Sequence, residues 1–372
     1  MTLHVRSVLR AAGLIASLAF SSFAHSQETV KVGAVLSLSG PSATVGEDVR
    51  RAVELAVDRV NANGGVGGKR FVVIIEDSAG NATTAIGAAR KLTSVDKVPV
   101  VLGEYSSGIT VPMGQYLVKE GVVHVNVAST SVKVRELGAS SFNLVGLEDR
   151  GGKFAASDSY GLGMRNVAII APNNAHGQGT ALAFKEEFEK LGGKVAGEVL
   201  YTAGQPSYRR ELQQLERRKP DGYVYTAYGQ EAAVINREAH ELGLRSKPWY
   251  AILLSNAISD TPPNIAQGQL GMELGSFKGP AGEAYTKAFT AKYNDVVRSS
   301  FSAYAYDGVM MVAKAIEMAK STAPADVQAA MVKLGAQGFE GVTGLIKFDQ
   351  LNQRIDPPYA KLRYDAGKVV PR

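Results

Sequence analysis

Two short hydroxyl-rich stretches carry the clearest chemistry in this chain. Tyr105-Ser106-Ser107-Gly108 follows the apolar run Val98–Leu102 and its closing Gly103, and Ala128-Ser129-Thr130-Ser131 follows the apolar run Val122–Val125. Neutral hydroxyls and free backbone N–H groups in such places suit an oxyanion such as a carboxylate, held at a helix N-terminus by donors that carry no charge. Between the two stretches Ile109, Met113, Tyr116 and Leu117 recur at the spacing of one helix face. Strand, loop, helix, strand, loop is one right-handed crossover of a parallel sheet. Ligands of such sheets sit beyond the carboxyl ends of the strands, so the two loops should lie side by side at a binding edge.

The rest of the chain reads as the frame for that edge. Its 372 residues are 45% hydrophobic and 20% charged, enough for one large core or two moderate ones, with two domains the natural expectation. Residues 1–26 read as a secretory signal: Arg6 and Arg10 open it, Ala11–Phe20 is its apolar stretch, and Ala24-His25-Ser26 is a small-x-small cleavage site. No later segment approaches about 18 uninterrupted apolar residues, so the exported chain should be soluble. Cysteine is absent, which leaves no disulfide and no lipid attachment through an N-terminal thiol; a free periplasmic protein is expected. Without Arg6 and Arg10 the basic residues number 39 against 35 acidic ones, a net charge of +4. Arg217-Arg218-Lys219 is the one basic cluster, and it reads as a solvated helix C-terminus rather than a nucleic-acid contact.

Strand and helix patterns then alternate along the chain. Val30–Leu36 reads as a first strand buried on both faces, and Thr44 with Glu47 matches a capping box for the helix whose face is Val49, Ala52, Val53, Ala56, Val57 and Val60. Phe71–Ile75 is a strand and Thr84–Val95 a helix. A second series begins at Phe142–Val145. Glu148-Asp149-Arg150 is expected to be a polar break, with helix from Lys153 to Tyr160 and a strand from Asn166 to Ala171. Pro172–Gln178 is expected to be a loop, followed by a helix over Thr180–Leu191, a strand over Val195–Tyr201 and a helix over Tyr208–Lys219. Gly222–Thr226 and Trp249–Leu254 are strands flanking a helix over Glu231–Leu242. Helices near 282–293, 302–320 and 324–334 and strands at 345–348 and 359–364 complete the reading. Regular βα alternation twice over predicts two doubly wound parallel-sheet units, an α/β protein, divided near Gly146.

Enzyme readings find no support. No Gly-x-Ser-x-Gly elbow occurs. Gly67-Gly68-Lys69-Arg70 lacks both the leading glycine and the hydroxyl of a phosphate loop, and Gly161-Leu-Gly163 lacks the third glycine of a dinucleotide fingerprint. The five histidines are scattered, so neither a metal site nor a cofactor is expected.

Ser39-Gly-Pro41, Asp58-Arg-Val-Asn-Ala-Asn-Gly-Gly65, Gly103 through Thr110, Ala128-Ser-Thr130 and Tyr306-Asp-Gly-Val309 occur in an order and spacing that resembles the leucine/isoleucine/valine-binding family of bacterial ABC-transporter solute receptors. The resemblance spans the mature chain. It implies a type I periplasmic-binding fold: two α/β lobes, about 28–147 plus 276–343 and 148–275 plus 344–372, joined by three crossovers and closing on a ligand by a hinge motion. It also implies residue roles. Ser107, flanked by Tyr105 and Ser106, matches the serine that binds a ligand carboxylate, and Ala128 and Thr130 match a backbone group and a hydroxyl beside it. His176 falls where amino-acid binders commonly carry tyrosine, Tyr228 falls at or beside a second tyrosine, and residues near Leu253 complete the second lobe's wall. Two departures redirect the expectation. Ala251-Ile-Leu-Leu-Ser255 lacks the acid that holds an amino-acid ammonium in this family, and a desolvated ammonium without such a partner is costly; Glu148 or Asp149 could take that place. Val45 stands where an aromatic often lines the side-chain pocket, leaving room for a bulkier ligand. The implied function is a non-enzymatic periplasmic receptor for an ABC importer, monomeric, with a small carboxylate as ligand (an amino acid or, favoured by the departures, an aromatic or aliphatic acid) and membrane permease subunits as partner. The alternative is a sensor that presents its closed form to a membrane signalling protein.

Overall fold

The computed structural model describes residues 28–275 and 279–372; the expected signal segment, 1–26, lies outside the described residues. The first unit is built from β1 (Thr29–Leu36), α1 (Ala43–Ala62), β2 (Arg70–Asp77), α2 (Ala82–Ser94), β3 (Val100–Gly103), α3 (Ser107–Lys119), β4 (Val123–Asn126) and β5 (Ser141–Asn143). The five strands form one wholly parallel sheet in the order β2-β1-β3-β4-β5. Strand β1 shows why: Val30, Val32, Ala34 and Leu36 point into one core, with Val45, Val49 and Val53 of α1, while Val35 points into another, with Leu92 of α2 and Met113 of α3. Apolar side chains on both faces demand helices on both faces.

The chain then crosses to the second unit: α4 (Glu148–Gly161), β6 (Asn166–Pro172), α5 (Ala175–Lys190), β7 (Lys194–Tyr201), α6 (Arg209–Glu216), β8 (Gly222–Tyr225), α7 (Gly229–Glu241), β9 (Trp249–Ile252), the short helices α8 (Leu254–Ile258) and α9 (Pro263–Ala266), and β10 (Leu270–Leu274). It returns for α10 (Pro280–Tyr293), α11 (Ser300–Ala319), α12 (Pro324–Gln337) and the hairpin β11 (Phe339–Gly341) and β12 (Gly344–Ile346), whose turn holds position 343, the expected lobe limit. A third crossing delivers β13 (Tyr359–Asp365) and β14 (Lys368–Pro371), which add antiparallel to the edge of the second sheet, ordered β14-β13-β10-β9-β8-β6-β7. The buried Arg354 in this last crossing donates to the carbonyls of Leu144, Thr343 and Leu345, tying the first crossing to the third. Two parallel-sheet lobes with three crossings is the predicted architecture.

Several local expectations are corrected. Thr44 does not cap α1: the cap position is Ser42, the Thr44 hydroxyl donates instead to Asp260 across the cleft (2.8 Å), and Glu47 pairs with Arg50 and Arg51. Glu148-Asp149-Arg150 is not a break but the first turn of α4, where acidic side chains favour a helix start. The expected loop 172–178 contains the start of α5, capped by Asn174 accepting from Gly177 N at 3.0 Å. The run Trp249–Leu254 is strand only to Ile252; Leu253 turns left-handed with φ +68°, unusual for leucine, and opens α8. Strand β10 was not expected at all.

Candidate functional site

The loops after β3 and β4 do lie side by side. Gly103 makes the first possible: its φ is +121°, and a Cβ there would meet the Val35 carbonyl at 2.1 Å. Beneath the loop the buried Glu104 accepts from Ser78 Oγ (2.7 Å), Ser37 Oγ and Ser106 N (2.8 Å); burial pushes its carboxyl above the usual range. Ser107 then opens α3. Its hydroxyl accepts from Ser129 Oγ at 2.8 Å and from Ser131 N at 3.3 Å, which leaves its own proton to donate, alongside the unpaired first-turn N–H groups of the helix. In the second loop Asn126 accepts from the Ala128 and Ser129 amides (3.2 and 2.8 Å) and donates to Ser129 O. The Ala128 group left for a ligand is therefore its carbonyl.

The second lobe meets this edge with residues at the carboxyl ends of its own strands. His176, in the first turn of α5, bridges the lobes: Nδ1 lies 2.7 Å from Thr130 Oγ1 and 3.3 Å from Thr180 Oγ1, and Nε2 lies 2.9 Å from Thr226 Oγ1. Burial lowers its pKa from 6.5 to about 4, so the ring is neutral and presents one donor and one acceptor to these hydroxyls. Tyr228 packs edge-on against Tyr105 (centroids 5.3 Å) and Tyr105 against Phe301 (5.5 Å). Burial raises the phenol pKa values of both tyrosines, which keeps them neutral donors. Asn256 of α8 accepts Ser299 Oγ at 2.9 Å; because that serine oxygen itself accepts from Phe301 N, its proton goes to Asn256 Oδ1, and Asn256 Nδ2 is left buried and without a partner.

Together these groups line a narrow pocket between the lobes, with Tyr105, Ser107, Ala128, Thr130 and Phe301 from one side and His176, Thr226, Ala227, Tyr228, Leu253 and Asn256 from the other. No aspartate or glutamate lines it. Of the sequence-predicted residues, Tyr105, Ser107, Ala128, Thr130, His176, Tyr228 and Leu253 share this wall. Ser106 occupies the N-cap position of α3 just behind it, and Asn174 Nδ2 donates to the Tyr228 hydroxyl at 3.5 Å. Val45 does not reach it; it is packed in the first-lobe core under α1. Glu148 lines a second narrow cavity that shares Thr130, His176 and Leu253 with the first. Asp149 points away to Arg135, whose Nη2 donates to both carboxylate oxygens at 3.0 Å. Sequence reading missed Thr226, Ala227, Asn256 and Phe301. The first two directly follow strand β8 and could have been found by that position alone; Asn256 and Phe301 carry no local signal.

Further contacts hold the lobes together around the cavity. Ser300 Oγ donates to Glu273 Oε1 at 2.7 Å, and Val132 N donates to Glu148 Oε1 at 3.0 Å. A carboxylate would meet the Ser107 proton, the α3 N-terminus and the Thr130 hydroxyl; an uncharged body would meet rings and Leu253. Among the described residues no group of three His, Cys, Asp or Glu side chains is placed to hold a metal ion.

The comparisons agree with this architecture. The sequence pattern of the periplasmic binding protein family matches residues 29–368. A Leu/Ile/Val-binding protein of Rhizobium johnstonii is 26% identical over 369 residues, covering 96% of this chain and 97% of that one. The crystal structure of a leucine-binding protein from Thermotoga maritima superposes with a TM-score of 0.84 at 22% identity, over 92% of this chain and 97% of the other. A solute-binding protein of an ABC transporter from R. palustris, solved with benzoate, superposes with a TM-score of 0.82 at 18% identity, over 92% and 95% of the two chains. A match along nearly the whole described chain, joined to two α/β lobes with a cavity between them, makes this chain a member of the periplasmic binding protein family.

Proposed function

We propose that the protein is an exported receptor of an ABC importer that carries a small carboxylate lacking an ammonium group, an aromatic or aliphatic acid, in the cavity between its lobes and presents the closed form to membrane permease subunits. One observation carries the choice of ligand: the wall of the first cavity contains no acid, Glu148 lying in the adjoining one, and Asn256 offers it a buried, unpartnered N–H donor. A ligand ammonium would face that donor without a countercharge, at a cost of several kcal/mol; a carboxylate or a ring meets donors and apolar surface. The benzoate held by the R. palustris relative shows that such an acid fits a structure of this fold. Ser107, Ala128 and Thr130, with Tyr105 and Ser106 shaping the loop, would hold the carboxylate. His176, Tyr228 and Leu253 would close over it as the lobes, about 28–147 plus 276–343 and 148–275 plus 344–372, swing together.

Thermal unfolding of protein refolded free of carried-over ligand tests this against two panels: branched-chain and aromatic amino acids, and benzoate-type, cinnamate-type and fatty acids. A ligand at a hundred times its Kd adds about 2.7 kcal/mol, a shift of several degrees. Stabilisation by the amino-free acids alone supports the reading; stabilisation by leucine or valine at similar concentrations overturns it.

A further inference from the structure

The second cavity contains a group that the carboxylate reading leaves idle. Glu148 is 5% exposed. Its Oε1 accepts from Ser131 Oγ (3.2 Å) and Val132 N (3.0 Å), both on the opposite lobe, while its Oε2 is buried with no hydrogen-bond partner. The room for this carboxyl is built in: Gly179 on α5 faces it, and a Cβ there would stand 1.9 Å from Oε1. The cavity is continuous in its lining with the first through Thr130, His176 and Leu253, and Ser131 touches both Ser107, through its N–H, and Glu148, through its hydroxyl. Leaving a buried carboxyl oxygen without a partner is costly, so a partner for it would add directly to binding.

We propose that Glu148 Oε2 receives a hydroxyl group of the ligand, so that the cargo is a hydroxylated carboxylate whose acid end lies on Ser107 and Thr130 and whose hydroxyl reaches into the second cavity. The inference rests on the carboxylate reading above. A hydroxyl fits this oxygen better than an ammonium does for two reasons. One donor completes Glu148, whereas an ammonium brings three N–H bonds, and the neighbouring polar atoms of Thr180 and His176 are already bonded to each other. A hydroxyl also donates to the ionised carboxyl and accepts from the protonated one, which matters because burial raises this pKa from 4.5 to about 8.

Calorimetric titration of the purified protein with three-member series tests it: 3-phenylpropionate, 3-phenyllactate and phenylalanine, and 4-methylpentanoate, 2-hydroxy-4-methylpentanoate and leucine, together with benzoate and 4-hydroxybenzoate. The hydroxylated member of at least one series should bind tenfold or more tighter than its plain acid. That gain should vanish in Glu148→Ala and survive in part in Glu148→Gln, whose amide can still pair with a hydroxyl. Equal binding of plain and hydroxylated acids throughout would overturn the proposal while leaving the carboxylate reading standing. Tightest binding by the amino member would make Glu148 an ammonium partner and overturn both. No binding by any carboxylate would overturn the reading beneath them.

Discussion

The two walls of the cavity are built differently. The first lobe offers small hydroxyls and backbone groups held by bonds within their own wall: Ser129 and Ser131 fix Ser107, Asn126 fixes the 128–129 turn, and Glu104 fixes the loop before α3. The second lobe offers larger side chains at helix starts, His176, Tyr228 and Asn256, and several of their contacts run across the cleft to the first lobe. One wall is set before the lobes meet; the other is completed by their meeting. This suits a division of work in which the first lobe reads the one feature every carboxylate shares and the second reads the rest of the molecule.

Breaking the first wall should therefore have the largest and least selective effect. Ser107→Ala or Thr130→Val removes a hydroxyl from a charged, desolvated group, worth about 1.5–3 kcal/mol, so affinity for every bound acid should fall roughly ten- to a hundredfold. Calorimetry across aromatic and aliphatic acids checks this. A loss confined to one ligand class would contradict the division of work. Changes in the second wall should alter selectivity instead. Asn256→Asp replaces the free N–H with a carboxylate in the same volume, and we expect more than tenfold weaker binding of plain acids with a gain for amino acids. Uniform loss across all ligands would place Asn256 in scaffolding. Tyr228→Leu should lower affinity for aromatic acids about three- to tenfold relative to aliphatic ones, the worth of a ring contact of about 0.5–1.5 kcal/mol.

The same asymmetry governs what the sequence discloses. Apart from Phe301, the first wall is continuous in the chain: Val98–Ser131 contains both strands, the helix between them and every hydroxyl of the cradle, so period and loop composition suffice. The second wall is assembled from strand ends and helix starts spread over about 80 positions, from His176 to Asn256. Helix starts there are disguised, because glycine-rich and polar first turns such as Ala175-His-Gly-Gln and Glu148-Asp-Arg-Gly-Gly look like loops until the cap and the neighbouring helix are seen. Strand β10, Leu-Gly-Met-Glu-Leu, shows no strand pattern because its glutamate is buried. Glu273 is accommodated by the Leu274 N–H and by Ser255 and Ser300, brought from elsewhere in the chain. Val45 departs from its expectation for a related reason: it lies on the apolar face of α1 with Val49 and Val53, which packs on the core rather than on the cavity.

Glu148 and His176 stand at the seam between the walls, and their protonation links the seam to pH. For His176 the folded pKa lies below the ordinary 6.5, so its contribution is present above 6.5 and is lost as pH falls through about 4. For Glu148 the folded pKa is raised from 4.5 to about 8 by burial, with Asp149 adding to the rise and Lys133 opposing it; its contribution is present below 4.5 and lost as pH rises towards 8. Between these limits one group takes up a proton while the other releases one. Glu148→Gln removes one half of that balance. Urea unfolding of the ligand-free protein at pH 5, 6 and 7 should show wild type losing stability relative to this variant by up to about 1.4 kcal/mol per pH unit. A gap independent of pH would mean that the carboxyl does not stay buried as described.

Asp149 gives the smallest effect and the sharpest control. It adjoins Glu148 in sequence and shares the first turn of α4, and either acid could have been assigned to a ligand ammonium from the sequence alone. Helix geometry turns successive residues about 100° apart, so when Glu148 faces the seam its neighbour cannot. Asp149 instead meets Arg135 in a pair whose side chains remain 38% and 29% exposed. Exposed pairs of this kind contribute about 0–1 kcal/mol, and at the helix start the remaining dipole interaction adds a few tenths. Asp149→Asn should therefore lower stability by less than about 1 kcal/mol, weaken further with added salt, and leave every Kd unchanged. A shift in affinity comparable to that of Glu148→Ala would mean that the second cavity extends to Asp149, and that the seam is wider than the hydrogen bonds of Glu148 define it.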